Sequence, residues 1–244
     1  MTSHQNMIFN QSEIKTKFYE ALDDEDYNTL IYLMTSPKLP VNININEYDN
    51  YYYTPLIRAA SFGSLNTVKF LLESDDIPQK ADIYQENKSG FDAFLSAVKN
   101  NQLDIVKYLL TSPTLSNHSD INKVCKDGYN ALTYALHVNS HDIVDYLLFS
   151  SNLNQKINVH HRNHNGWCAL RNAIIRDNEK VITHLIIDKN QLCNEEDIQW
   201  LLHESIKPQD KIDFVLDLIY KRESYFKINE NISMNKTRSN IKKI

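Results

Sequence analysis

The chain has 244 residues, 42% of them hydrophobic and 23% charged, a balance that fits a folded chain long enough for one large domain or a short repeat array. Its net charge of −5 is uneven: residues 227–244 carry Lys227, Lys236, Arg238, Lys242 and Lys243 against Glu230, a surplus of +4 that leaves −9 on the rest. An acidic body argues against a nucleic-acid partner, whose affinity rests on neutralised phosphates, and a chain with only four glycines has little material for phosphate-cradling loops.

The first residues, MTSHQNMIFNQSEIK, lack a basic patch followed by an apolar run, so no secretory signal peptide is expected. No stretch of about 18 apolar residues occurs, so neither a membrane span nor a membrane partner is expected. Cys125, Cys168 and Cys193 are widely spaced and odd in number, which reads as reduced thiols of a cytoplasmic protein rather than a disulfide framework.

In chain order, residues 11–48 read as a capping helix pair whose turn is acidic (Asp23, Asp24, Glu25, Asp26) and whose second helix ends in LIYLM. Four further pairs fill residues 49–190. Their first helices open at TPLIRAA, DAFLSAV, NALTYAL and CALRNAI, where Thr54, Asp92 and Asn130 are placed to cap the helix and Pro55 fits its first turn. Their second helices read NTVKFLLE, DIVKYLLT, DIVDYLLF and KVITHLII, with apolar residues at helical spacing and Asp104 and Asp142 at the favourable end of the dipole. Ser36-Pro37 stops the second helix of the capping pair, and Ser112-Pro113 that of the second of these pairs. Extended stretches ending in Asn44-Ile45, Asp82-Ile83, Asp120-Ile121 and Asn158-Val159 then lead into turns such as KDGY and HNGW, which is strand-and-turn chemistry. Two capping helices are expected over 191–226, and the basic tail 227–244 lacks periodicity and is expected to hold no fixed structure.

All of this repeats every 38 residues. The pairs Leu71-Leu72, Leu109-Leu110, Leu147-Leu148 and Leu185-Ile186 keep that step, as do Ala21, Ala59, Ala97, Ala135 and Ala173, and Gly90, Gly128 and Gly166. Several residue types held in register over five units predict an all-α solenoid of helix pairs with long hairpin loops.

The segment TPLIRAASFGSLNTVKFLLES resembles the ankyrin pattern T-P-L-H-x-A-A-x-x-G-H-x-x-I-V-x-L-L-L, and ADI, SDIN and KINV resemble its A-D-V-N. The resemblance covers roughly residues 11–190 but departs from the usual period of about 33, the extra residues falling between helix and hairpin. It implies a monomeric, non-enzymatic module that grips a protein partner on a concave surface lined by hairpin tips and the fronts of the first helices. The segment YLLTSPTLSNHSDIN also resembles repeats of the ankyrin effectors that intracellular bacteria deliver into host cells, which would place the protein in a host cytoplasm. A second reading makes the array a regulatory or targeting element for a catalytic domain on another or longer chain.

On that surface the resemblance places an aromatic column just before each first helix: Tyr53, Phe91, Tyr129 and Trp167. Such rings supply contact area at low entropic cost, or else pack on one another as an outer core. Nearby places that vary between repeats are Tyr51, Phe62, Lys99, His137, Ile175 and Arg176, so the candidate partner contacts are these six with the four aromatics.

Chemistry is scarcer. No GxGxxG, GxxxxGK[ST] or GxSxG motif occurs, and no cofactor is expected. His160, His161 and His164 of HHRNH, with Cys168, form the best metal candidate, yet adjacent strand histidines point to opposite faces and Cys168 takes a helix-capping place, so neither a metal site nor a catalytic residue is assigned.

Overall fold

The structure is a computed structural model that describes residues 10–39, 43–187 and 213–221. These divide into two compact units, residues 1–157 and residues 158–244.

The first unit holds four helix pairs: α1 (Gln11–Asp23) with α2 (Tyr27–Thr35), α3 (Pro55–Phe62) with α4 (Leu65–Glu73), α5 (Ala93–Lys99) with α6 (Leu103–Thr111), and α7 (Ala131–His137) with α8 (His141–Phe149). The second holds α9 (Ala169–Ile175) with α10 (Glu179–Ile187), and a further helix over 213–221. From α3 onward the starts of the first helices, and from α2 onward those of the second, fall 38 residues apart, which is the step of the sequence. The other capping helix expected within 191–226, Cys193 and the tail 227–244 lie outside the described residues. Among the described residues no helix is long and apolar enough to cross a membrane.

The caps form as the residue types require. Thr54, Asp92 and Asn130 accept the backbone N–H three residues on, and Asn10 and Glu13 form a reciprocal capping box at α1. Cys168 stands in the same register but makes no side-chain cap bond, consistent with a thiol's weak hydrogen bonding. In the first unit the first helices pack in series, α1 on α3, α3 on α5 and α5 on α7, and α4, α6 and α8 pack likewise. Ala21, Ala59, Ala97 and Ala135 are buried at that seam, where only a methyl group lets the helices close up, and Ala173 is buried in the second unit. Leu30, Leu71, Leu109 and Leu147 fill the layer behind, each worth about 1.5–3 kcal/mol of burial.

The expected strands are absent from the described residues, which contain one isolated bridge, Val124 with Asn130. Side chains shape the connections instead. Asn44, Asp82, Asp120 and Asn158 each accept the N–H two residues on, at 2.9–3.0 Å, so the polar residue of the supposed strand is a turn-former. Its β-branched neighbour is the anchor: Ile45, Ile83, Ile121 and Val159 are buried. A second column closes three of the four tips. Asp49, Asn87 and Asn163 use one side-chain oxygen to accept two backbone N–H groups, those of Tyr51 and Tyr53, Ser89 and Phe91, Asn165 and Trp167. Each tip turns through a left-handed residue, Gly90, Gly128 or Gly166, for which Tyr52 substitutes at φ 65°. A second left-handed column lies between the helices of each pair: Glu25, Gly63, Asn101, Asn139 and Asp177.

Candidate partner-binding surface

Within the first unit the predicted contacts fall into two clusters. The first surrounds Arg58 on α3. Its guanidinium pairs with Asp23 at 2.7 Å and with Asp49 at 3.4 Å, and lies 5.5 Å from the Tyr19 ring and 5.2 Å from that of Phe62. Held this way, Phe62 remains 67% exposed and Tyr51, on the hairpin tip, 77% exposed. Tyr53 is half-buried. The Asp23 carboxylate raises the Arg58 pKa, an effect only partly offset by burial. Burial, reinforced by the charges of Asp49 and Glu47, raises that of the Tyr19 phenol.

The second cluster is built on α5 and α7. The Tyr134 ring lies 5.3 Å edge-on from Phe91 and 5.4 Å from Tyr129, and Tyr129 lies 5.3 Å from His137. Lys99 extends over the Phe91 ring at 5.1 Å and is itself exposed. Tyr129 and His137 are half-buried. Within the aromatic column Phe91 is buried at 4% exposure, packed against the Tyr134 ring and beneath Lys99. It supports the surface from beneath.

In the second unit the Arg171 guanidinium stands 4.4 Å from the half-buried Trp167 ring, and Ile175 and Arg176 at the end of α9 are exposed. His160 and His164 are exposed, His161 is half-buried and Cys168 is buried at the start of α9. Among the described residues no three His, Cys, Asp or Glu side chains are grouped to hold a metal ion.

Two features escape the sequence reading. Arg58 occupies the register of Ser96, Tyr134 and Asn172, and Asp49 that of Asn87, Cys125 and Asn163; both departures are visible in the alignment of repeats, but only the structure shows that they face each other. A further aromatic column, Tyr32, Phe70, Tyr108 and Tyr146, runs along the second helices. There Lys69 stands 5.6 Å from the Tyr108 ring and Lys107 5.9 Å from that of Tyr146, each bridging to the next repeat.

The family model described as ankyrin repeats (3 copies) matches the chain twice, over residues 18–117 and 111–197. No curated protein matches the chain.

Proposed function

We propose, for a chain that belongs to the ankyrin-repeat family, that it binds one partner protein through the face made by its hairpin tips and first helices, and carries out no reaction of its own. Ankyrin repeats are generally protein-interaction modules. The observation that carries the reading is the contrast between the buried frame and the residues set on it. Ala59, Ala97 and Ala135 are buried at every step, while Tyr51 and Phe62 stay largely exposed despite being aromatic. A large apolar side chain left in water on a rigid support is what an interface anchor requires. Lys99 joins them in the first unit, and in the second Ile175 and Arg176 are exposed at the end of α9. Tyr53, Tyr129, His137 and Trp167 contribute the exposed part of rings otherwise used in packing.

The narrower reading, an effector acting in a host cytoplasm, is supported by the SP break and long loop of residues 108–122. A photo-crosslinking residue placed at Phe62, and separately at Lys107 on α6, tests the face. Adducts with the same protein from Phe62 and not from Lys107 are expected; adducts from Lys107 alone would contradict it. Eukaryotic and bacterial lysates run in parallel test the narrower reading, which requires the adduct from the eukaryotic one.

A further inference from the structure

The first helix of the first unit and its hairpin enclose a cleft of about 380 Å³, within the roughly 300–1,000 Å³ of sites that hold small groups. Four carboxylates line it, Glu20, Asp23, Glu47 and Asp49, against two cations, Lys15 and Arg58. Both cations are already engaged: Lys15 pairs with Glu47, and Arg58 with Asp23 and Asp49. The lining therefore keeps a net charge of −2, and the rise in the Tyr19 pKa registers the same field after burial.

The fold does not call for this charge. Asn87 and Asn163 make the same pair of turn bonds with a neutral amide oxygen, so the carboxylate at Asp49 is surplus to the hairpin. Its second oxygen faces Arg58, in a register filled elsewhere by Ser96, Tyr134 and Asn172. Tyr51 stands on the rim, 77% exposed, so an aromatic ring and unneutralised carboxylate charge meet at the mouth. Ring faces and carboxylates both attract cations, and they do so more strongly where a cleft excludes part of the water.

We propose that this cleft receives a lysine or arginine side chain of the partner, so that the protein recognises a basic, extended protein segment. The inference rests on the reading of the chain as a partner-binding module and names the chemistry of that partner. Tyr51 supplies the ring, and Glu20, with Asp23 and Asp49 sharing the single cation Arg58, supplies the charge that Lys15 and Arg58 leave over.

The test is a fluorescence-anisotropy titration of the full chain with a labelled peptide of alternating lysine and glycine, at low salt and at physiological salt. Glu20→Gln with Asp49→Asn, and separately Tyr51→Ala, are expected to weaken binding by about tenfold, of the order of a partly desolvated cation–aromatic or ion-pair contact. The control Asp76→Asn with Asp127→Asn removes the same charge from exposed sites outside the cleft and is expected to change binding by less than about twofold, as screened surface charges do. Circular dichroism and a thermal melt confirm that each variant folds. Equal weakening by the control would show attraction to overall charge and overturn the cleft; failure of the peptide to bind wild type would overturn it as well. If a captured natural partner still depends on Phe62 in that case, the cleft proposal falls and the partner-binding reading stands.

Discussion

The Arg58 guanidinium donates to both carboxylate oxygens of Asp23, at 2.9 and 2.7 Å, and so ties α3 to the last residue of α1 across 35 positions of sequence. The same group reaches Asp49 at the hairpin tip, so one side chain joins α1, α3 and a turn. Ion pairs this exposed contribute at most about 1 kcal/mol, and a cation over an exposed ring about 0.5–1 kcal/mol. Arg58→Ala, which loses the pairs and both ring contacts, is expected to cost about 1–2 kcal/mol in urea denaturation, and Asp23→Ala no more than about 1. At Asp49 the two roles separate. Asn keeps the oxygen that accepts Tyr51 and Tyr53, whereas Ala loses the turn, so Asp49→Ala is expected to be the more destabilising by about 1 kcal/mol.

Asp92 caps α5 by accepting the Leu95 N–H at 2.8 Å while buried to 2% exposure. Burial raises its pKa from 3.8 to about 6, against the lowering effects of the Leu95 N–H and Lys123. The folded state therefore holds a proton that the unfolded state has released across that interval, and this residue's contribution to stability falls as pH rises from about 4 to 6. Asn130 performs the same cap without a charge. Asp92→Asn is expected to stabilise the protein by about 2–3 kcal/mol at pH 8, from about 1.4 kcal/mol per pKa unit, and to be nearly neutral at pH 3.5. Denaturation curves at the two pH values check it; an equal effect at both would show that the charge is not the cause.

The left-handed columns allow a graded comparison. A Cβ at Gly90 would meet the Lys126 backbone nitrogen at 2.8 Å, whereas one at Gly166 would meet nothing within 4 Å. Gly166→Ala is expected to lose the conformational term alone, about 1–2 kcal/mol, and Gly90→Ala more than that. Glu25 at φ 56° occupies the register of Gly63, so Glu25→Gly is expected to gain about 1 kcal/mol in a thermal or urea melt.

Ala97 and Ala135 have no exposed surface where α5 and α7 meet their neighbours. Ala97→Leu or Ala135→Leu is expected to cost about 1–3 kcal/mol by overpacking. Equilibrium denaturation measures this directly, and a loss below about 0.5 kcal/mol would mean that the seam is loose.

The helix pairs were legible because their signal is dense: capping residues, apolar spacing and small seam residues all recur at one step, and each reports its own place. The connections were not. A polar residue followed by a β-branched one, as in Asp82-Ile83, fits a strand as well as a turn, and only the bond from the Tyr84 N–H to Asp82 decides between them. The site was half legible for a related reason. Phe91 and Tyr53 look alike in the aligned repeats, but what covers a ring is set by its neighbours in space: Tyr134 and Lys99 bury Phe91. Nor does repetition reveal a feature built from departures, such as Arg58 opposite Asp49.

The central claim is that partner binding depends on the tip and first-helix face. Its most direct test is quantitative capture from lysate by wild type, Tyr51→Ala, Phe62→Ala and Lys107→Ala proteins, each checked for folding and compared by mass spectrometry. The account predicts at least one protein retained by wild type and Lys107→Ala but reduced about tenfold or more by Tyr51→Ala and Phe62→Ala, as loss of a buried aromatic anchor implies. Undiminished capture by both aromatic variants, or selective loss with Lys107→Ala, would contradict it.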